Sequence, residues 1–405
     1  MTRVPWLSVL GVGADGIADL PATSRALLDA AECLVGGARH LAMLPADPRP
    51  RLVWQRPLAG TVARVAEWRG RRVCVLATGD PMCFGIGTTL ARHFEPGEMH
   101  IVPAPSAFAL ACARLAWPEH EAELLTLHGR PIDLLAPALR HGARLVLLSH
   151  DATTPARVAA YLADRGFGDS RLHLLERMGA ADEATRSGIA ATWQHTDGSD
   201  LNTLAVELVA GPGAAEHACV PGLPDGVYLN DGQITRSEVR ASTLAALAPG
   251  PGALLWDVGA GCGSIAIEWM RSDRRARAIA IEPDAGRRSI AAQNAARLGV
   301  PGLEFVNGRA PDALDGLEPA DAVFIGGGIS TPGMVEACWS ALRPGGRLVA
   351  NVVTLEGEAV LLRQQARLGG ELVRISVARS APVGSFSGWR AMMPVTRWSV
   401  VRERQ

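Results

Sequence analysis

Two glycine turns and a few acidic positions hold most of the chemistry this chain can do. Leu254–Val258 is an apolar run carrying one acid, Asp257, and it opens directly into Gly259-x-Gly261-x-Gly263. Glycines so spaced let a backbone pass close to a ligand ahead of a helix N-terminus, with Ala260 and Cys262 filling the positions between. The spacing is not the Gly-x-Gly-x-x-Gly of dinucleotide sites. Ile281-Glu282 ends the next apolar run, where a carboxylate can accept both hydroxyls of a ribose. Asn307-Gly-Arg-Ala310 follows the third, where a loop can flank an adenine ring. Taken singly, Asp257 reads as a helix cap and Glu282 as a solvated strand end. Their order on three successive runs favours a nucleoside site. No His or cation accompanies Cys262 to make it a nucleophile, so it reads as a small loop residue.

The first third holds a second set. Gly11-Val-Gly13-Ala-Asp-Gly16 follows the first apolar run and is balanced between a plain βα turn and a ligand loop. Leu76–Gly85 contains Gly79-Asp80-Pro81 and ends on Phe84-Gly85; Val102–Ala107 ends on Ser106-Ala107. Gly-Asp-Pro is favourable turn chemistry in any protein. Ser106 reads equally as the cap of the apolar helix after it, and His128-Gly129-Arg130 as a loop over substrate or an exposed strand end. Arg236 and Arg240, ahead of the second glycine loop, can bind carboxylates bidentately or lie on a solvated helix face. No His/Cys/Asp set has metal-ligand spacing.

Alternating short apolar runs and helical periodicity position these residues, the pattern of α/β architecture with largely parallel sheets. Expected strands are 7–12, 33–36, 73–78 and 100–102, then 124–128, 144–149, 171–177 and 203–208, with a subdomain break near 118–122. Residues 211–226 are rich in Gly and Pro and read as a linker. The pattern restarts in helix 236–248, strand 253–258, helix 264–270, strand 278–281 and helix 285–298. Strands near 303–306, 322–325 and 347–351 complete it. The expected domains are therefore 1–210 and 227–405.

The 405 residues carry 40 Lys+Arg against 41 Asp+Glu, so no long-range field draws the chain to nucleic acid. Seven scattered Cys without C-x-x-C fit a reducing cytosol rather than a disulfide framework. No run is long and apolar enough for a bilayer, and the first ten residues lack a signal-peptide core. A cytoplasmic protein is expected.

The ordered loops from Gly11 to Ser106, with Ala30–His40 between them, resemble the tetrapyrrole (class III) S-adenosylmethionine (SAM) methylases. That resemblance implies a fold of two α/β subdomains, with SAM in the cleft touching Gly79, Asp80, Pro81, Gly85, Ser106 and Ala107. The loop of Gly11 and Gly13, and His128, would face the macrocycle. The family usually carries Gly-x-Gly-Pro-Gly-Asp near its start; here the order of Gly and acid is swapped at Ala14-Asp15-Gly16.

The second set resembles the Rossmann-like class I SAM methyltransferases. It implies a second SAM touching Thr235, Gly259, Ala260, Gly261, Cys262, Gly263, Glu282 and Ala310. The fused pair, with Asp231–Arg240 and Asn351–Glu356, resembles the bifunctional methyltransferases of cobalamin biosynthesis. By that resemblance the N-terminal module methylates precorrin-6B at C5. The C-terminal module methylates C15 and decarboxylates the ring C acetate, giving precorrin-8, without a metal, and forms a homo-oligomer, a tetramer in related single-domain enzymes. Arg236 and Arg240 would hold substrate carboxylates. Two other readings stay open: an RNA or protein methyltransferase with a structural N-terminal partner, and a nicotinamide-dependent oxidoreductase. Neutral charge weighs against the first and the glycine spacing against the second.

Overall fold

β1 (Leu7–Val12) is buried at every position, as a strand covered on both faces by helices must be. In this computed structural model, which describes residues 5–404, β1 lies inside a five-stranded sheet with β2 (Cys33–Gly36), β3 (Arg51–Val53), β4 (Val73–Thr78) and β5 (Met99–Val102). The order is β3-β2-β4-β1-β5 and all pairings are parallel. The first four residues of the N-terminal segment read above lie outside the described residues.

A second sheet follows, built from β6 (Ala122–Thr126), β7 (Arg144–Leu148), β8 (Arg171–Glu176), β9 (Ala184–Ile189) and β10 (Asn202–Glu207), in the order β6-β7-β10-β8-β9. Only β6 and β7 run parallel; the other three pairings are antiparallel. The expectation of largely parallel sheets is corrected here. A buried apolar run looks the same whichever way the chain traverses it, so direction is absent from the hydrophobic pattern.

The third sheet contains β11 (Leu254–Val258), β12 (Arg277–Ile281), β13 (Glu304–Val306), β14 (Ala320–Ile325), β15 (Leu342–Val352) and β16 (Glu371–Ile375). A hairpin, β17 (Ala378–Val383) with β18 (Phe386–Ala391), precedes the last strand, β19 (Val395–Val401). The order β13-β12-β11-β14-β15-β19-β16 is parallel through β15, while β19 runs antiparallel to both neighbours. The strand order reverses at β11 and β14, so a crevice opens beyond their carboxyl ends. Trp256, Trp269 and Trp398 are fully buried around this sheet.

The chain forms two units, Met1–Ile132 with Arg140–Ala215, and Asp133–Leu139 with Glu216–Gln405. The Pro/Gly-rich stretch divides between Ala215 and Glu216, and its second half is held by α-helix Ser264–Ser272. Buried Glu268 accepts hydrogen bonds from the Gly222 and Leu223 amides (2.6 and 3.1 Å), the Tyr228 hydroxyl (2.9 Å) and Arg240 Nε (2.5 Å). Leu223 and Tyr228 are buried with it.

Candidate functional site

In the first unit, three loops meet at the carboxyl ends of β1 and β4. The Gly79 amide donates to the Val12 carbonyl (2.9 Å) and the Ala104 amide donates to the Gly79 carbonyl (3.3 Å). Gly11 makes that meeting possible: a Cβ there would lie 2.1 Å from Gly79 O and 2.4 Å from Ala104 N. Gly11 is therefore a packing glycine; of the two glycines expected to face the macrocycle, only Gly13 has open space, a Cβ there meeting nothing within 4 Å.

Gly79 adopts φ +59°. Asp80 Oδ1 accepts from the Met82 amide (2.8 Å), which folds the turn back on itself. The Gly87 amide donates to the Pro81 carbonyl (2.9 Å), and a Cβ on Gly85 would lie 2.6 Å from that oxygen. Pro81 and Gly85 thus shape the loop. Ser106 caps helix Ala107–Leu115, its Oγ accepting from the Ala109 amide at 3.1 Å.

These loops face a cavity of about 630 Å³ that also draws on β6, β7, β8 and β10. Gly13, Gly79, Asp80, Gly85, Ser106, Ala107 and His128 line it; Gly11 and Pro81 do not. His128 is exposed, and its ring centre is 5.1 Å from that of His150. His40, Thr78, Ser149, His150 and Asn202 also line the cavity and were not singled out from sequence. His40 and Thr78 lie inside the two stretches that carried the resemblance. The others sit on strand ends with no motif to mark them.

In the second unit, the glycines after β11 have three different reasons. All adopt positive φ: +76° at Gly259, +56° at Gly261 and +79° at Gly263. A Cβ on Gly259 would lie 3.1 Å from the Gly327 amide nitrogen, and one on Gly263 3.1 Å from Ala291 Cβ. One on Gly261 would meet nothing within 4 Å. The Gly259 and Ala260 amides donate to the Ile281 carbonyl (2.9 and 3.3 Å), tying the loop to the end of β12.

Glu282 completes the turn. It is buried, its Oε2 accepts from the Gly261 amide (2.9 Å) and its Oε1 from the Asp284 amide (3.0 Å). A carboxylate offers about four lone-pair sites, so acceptor capacity remains for a pair of hydroxyls. The Cys262 carbonyl accepts from Asn294 Nδ2 (3.0 Å), and burial pushes the Cys262 thiol up, which suits an inert residue. Ala310 packs half-buried beside the core of this unit.

The expectation for Arg240 is corrected. Its side chain is completely buried; Nε pairs with Glu268, and Nη1 and Nη2 donate to the Thr235 and Leu223 carbonyls. With its Nη1 also 3.4 Å from Asp225 Oδ1 and no part of the guanidinium exposed, it offers no face to a substrate carboxylate, and removing one partner of such a pair costs about 3–5 kcal/mol. Arg240 instead fixes the Thr235 backbone. Arg236 occupies the N-cap position of the helix Ser237–Leu247, with no capping side-chain hydrogen bond; it is half-exposed and has Nη1 3.5 Å from Asp225 Oδ2. Among the described residues no cluster of three His, Cys, Asp or Glu could hold a metal ion.

Two buried titratable groups tune the units in opposite directions. Burial, then the neighbouring Arg39, depresses His40 from 6.5 to about 4. Burial raises Asp257 from 3.8 to about 7, against the Ala266 amide hydrogen bond to its Oδ2 (3.1 Å), with Glu282 adding repulsion. For His40 the unfolded chain binds the extra proton between pH 6.5 and 4, so stability is lost on acidification through that window. For Asp257 the folded chain binds it, so stability is lost as pH rises from 3.8 through 7. Each effect is of order 3 kcal/mol. Denaturant titrations across this range should show His40→Gln flattening the acid-side loss and Asp257→Asn the neutral-side loss; curves parallel to wild type contradict both.

Residues 7–192 match the family described as tetrapyrrole (corrin/porphyrin) methylases, and residues 226–402 match the precorrin methyltransferase domain. A precorrin-6Y C(5,15)-methyltransferase [decarboxylating] of Sinorhizobium sp is 46% identical over 399 residues, covering 98% of this chain and 96% of the relative. One from Mycobacterium tuberculosis is 41% identical over 399 residues, covering 97% and 99%. The crystal structure of the C-terminal domain of the Rhodobacter capsulatus precorrin-6Y C5,15-methyltransferase is 46% identical and has a TM-score of 0.44. The match covers 46% of this chain and 100% of that domain.

Proposed function

The chain belongs to the precorrin-6Y C5,15-methyltransferase (decarboxylating) family, and from that premise we propose how its two units divide the work. The protein is a SAM-dependent methyltransferase of cobalamin biosynthesis that methylates precorrin-6Y (precorrin-6B) at C5 and C15 and decarboxylates it. The first unit carries out C5 methylation in the cavity between its subdomains. The second carries out C15 methylation with loss of the ring C acetate carboxyl, giving precorrin-8. Each unit binds its own SAM. The observation that carries this reading is the pair Gly13 and Gly261, one per unit, each at a strand's carboxyl end with open space where a side chain would stand.

SAM supplies an electrophilic methyl group; the protein's part is to hold the macrocycle carbon in line with it and exclude water. Gly79, Asp80, Gly85, Ser106 and Ala107 would hold it in the first unit, on a loop that Pro81 shapes. Thr235, the Gly259–Gly263 turn, Glu282 and Ala310 would hold it in the second. Glu282→Ala should weaken SAM binding there by about 1.5–3 kcal/mol, the range for a hydrogen bond to a charged group. Calorimetry showing unchanged affinity would return Glu282 to loop capping alone.

We propose a homo-oligomer through the second unit, the tetramer being what the resemblance implies; the exposed aromatics of hairpin β17–β18, Phe386 and Trp389 (each 80% exposed), offer an apolar patch for such a contact. Light scattering that finds a monomer contradicts it. Among the described residues no helix is long and apolar enough to cross a membrane. With all seven cysteines free, a cytoplasmic location is the natural reading. The reaction is tested by mass spectrometry of the product from precorrin-6B and SAM: gain of two methyl groups with loss of CO2 supports the reading, and an unchanged mass sinks it.

A further inference from the structure

His40 is 8% exposed and lies in the wall of the first unit's cavity, on helix Ala38–Ala42. Its Nε2 is 3.1 Å from Thr78 Oγ1, and its Nδ1 is buried with no hydrogen-bond partner among the described residues. That asymmetry selects the tautomer. A proton on Nδ1 would leave a buried N–H orphaned, which is rarer in folded proteins than an under-used acceptor. The proton therefore sits on Nε2 and is donated to Thr78. Thr78 Oγ1 is then an acceptor from His40, and its own hydrogen must go elsewhere.

Elsewhere is the cavity. Thr78 is exposed, lines it, and ends β4 in register with Val12, level with the open Gly13. Arg39 lines the same wall, is exposed, and has no ion-pair partner among the described residues. A fixed hydroxyl donor and an uncommitted guanidinium lining one cavity suit a carboxylate, since both present hydrogens and one brings positive charge. We propose that His40 positions the Thr78 hydroxyl as a donor which, with Arg39, holds one carboxylate arm of the macrocycle during C5 methylation. This rests on the division of labour proposed above. The burial that keeps His40 neutral near pH 7 also keeps it from becoming a second cation there.

The two activities of the full chain supply their own control. With SAM saturating, Thr78→Val and His40→Leu should each raise KM for the tetrapyrrole in C5 methylation by roughly tenfold or more, the equivalent of a hydrogen bond to a charged group. SAM affinity, C15 methylation and CO2 release should hold. Thr78→Ser should restore KM, and so should His40→Gln, whose amide nitrogen can replace the Nε2 donor. A tetrapyrrole KM unmoved in Thr78→Val overturns the inference. So does a change confined to SAM affinity, or a folded His40→Gln as impaired as His40→Leu. If His40→Leu does not fold, the Thr78→Val and Thr78→Ser pair decides. Wild-type enzyme that releases CO2 but never methylates C5 would instead overturn the underlying division of labour.

Discussion

Gly261→Arg should leave a folded protein that still methylates C5, while C15 methylation and CO2 release should fall together by at least about a thousandfold, some 4 kcal/mol of lost transition-state stabilisation. The Cβ of residue 261 would project into empty space, so the new side chain occupies ligand volume rather than core. The positive φ there adds roughly 1–2 kcal/mol of strain, small against a domain stability of about 5–15 kcal/mol. The joint loss has a chemical cause. Losing CO2 from an acetate sends its bonding electrons into the conjugated macrocycle, where they enrich the neighbouring meso carbon that accepts the methyl group. Such coupling works best in one closed site that holds the carboxylate and excludes water. The product should carry one new methyl, at C5; a CO2-depleted product lacking the C15 methyl would separate the two steps.

The complementary result is expected of Gly13→Arg: C5 methylation is abolished while C15 methylation and CO2 release persist. Gly13 is the appropriate glycine because its Cβ would meet nothing and its φ lies outside the left-handed region. The same change at Gly11 would drive a side chain into the Gly79 and Ala104 backbone and test folding rather than binding. Product mass with the methyl position assigned by NMR reads the outcome. CO2 release lost in a folded Gly13→Arg protein would contradict the division of labour.

What was legible in the sequence follows from what is local. The strands ending at Val12, Thr78, Val258 and Ile281 are short apolar runs stopped by glycine or acid, and the structure ends them at those residues. The glycine turns were legible because φ and close approach are properties of a few adjacent residues. Gly11 and Gly13 could not be told apart, since only the fold places Gly79 and Ala104 against one of them. Arg240 was misread for the same reason: its partner Glu268 comes from another helix, and nothing at 240 announces burial. β9 and the hairpin β17–β18 escaped because half-exposed strands lack a continuous apolar run. His40 and Thr78 lay in view, but their pairing is made by the sheet that brings β4 beside the β2-to-helix turn.

The account's central claim is that each unit binds SAM on its own, and the number of SAM molecules bound per full-length chain tests it most directly. Calorimetry with SAM, repeated with S-adenosylhomocysteine, should give two sites on wild type, one on Gly79→Arg, one on Gly261→Arg and none on the double variant. A single site on wild type, or the loss of both through either substitution in a folded protein, would contradict it.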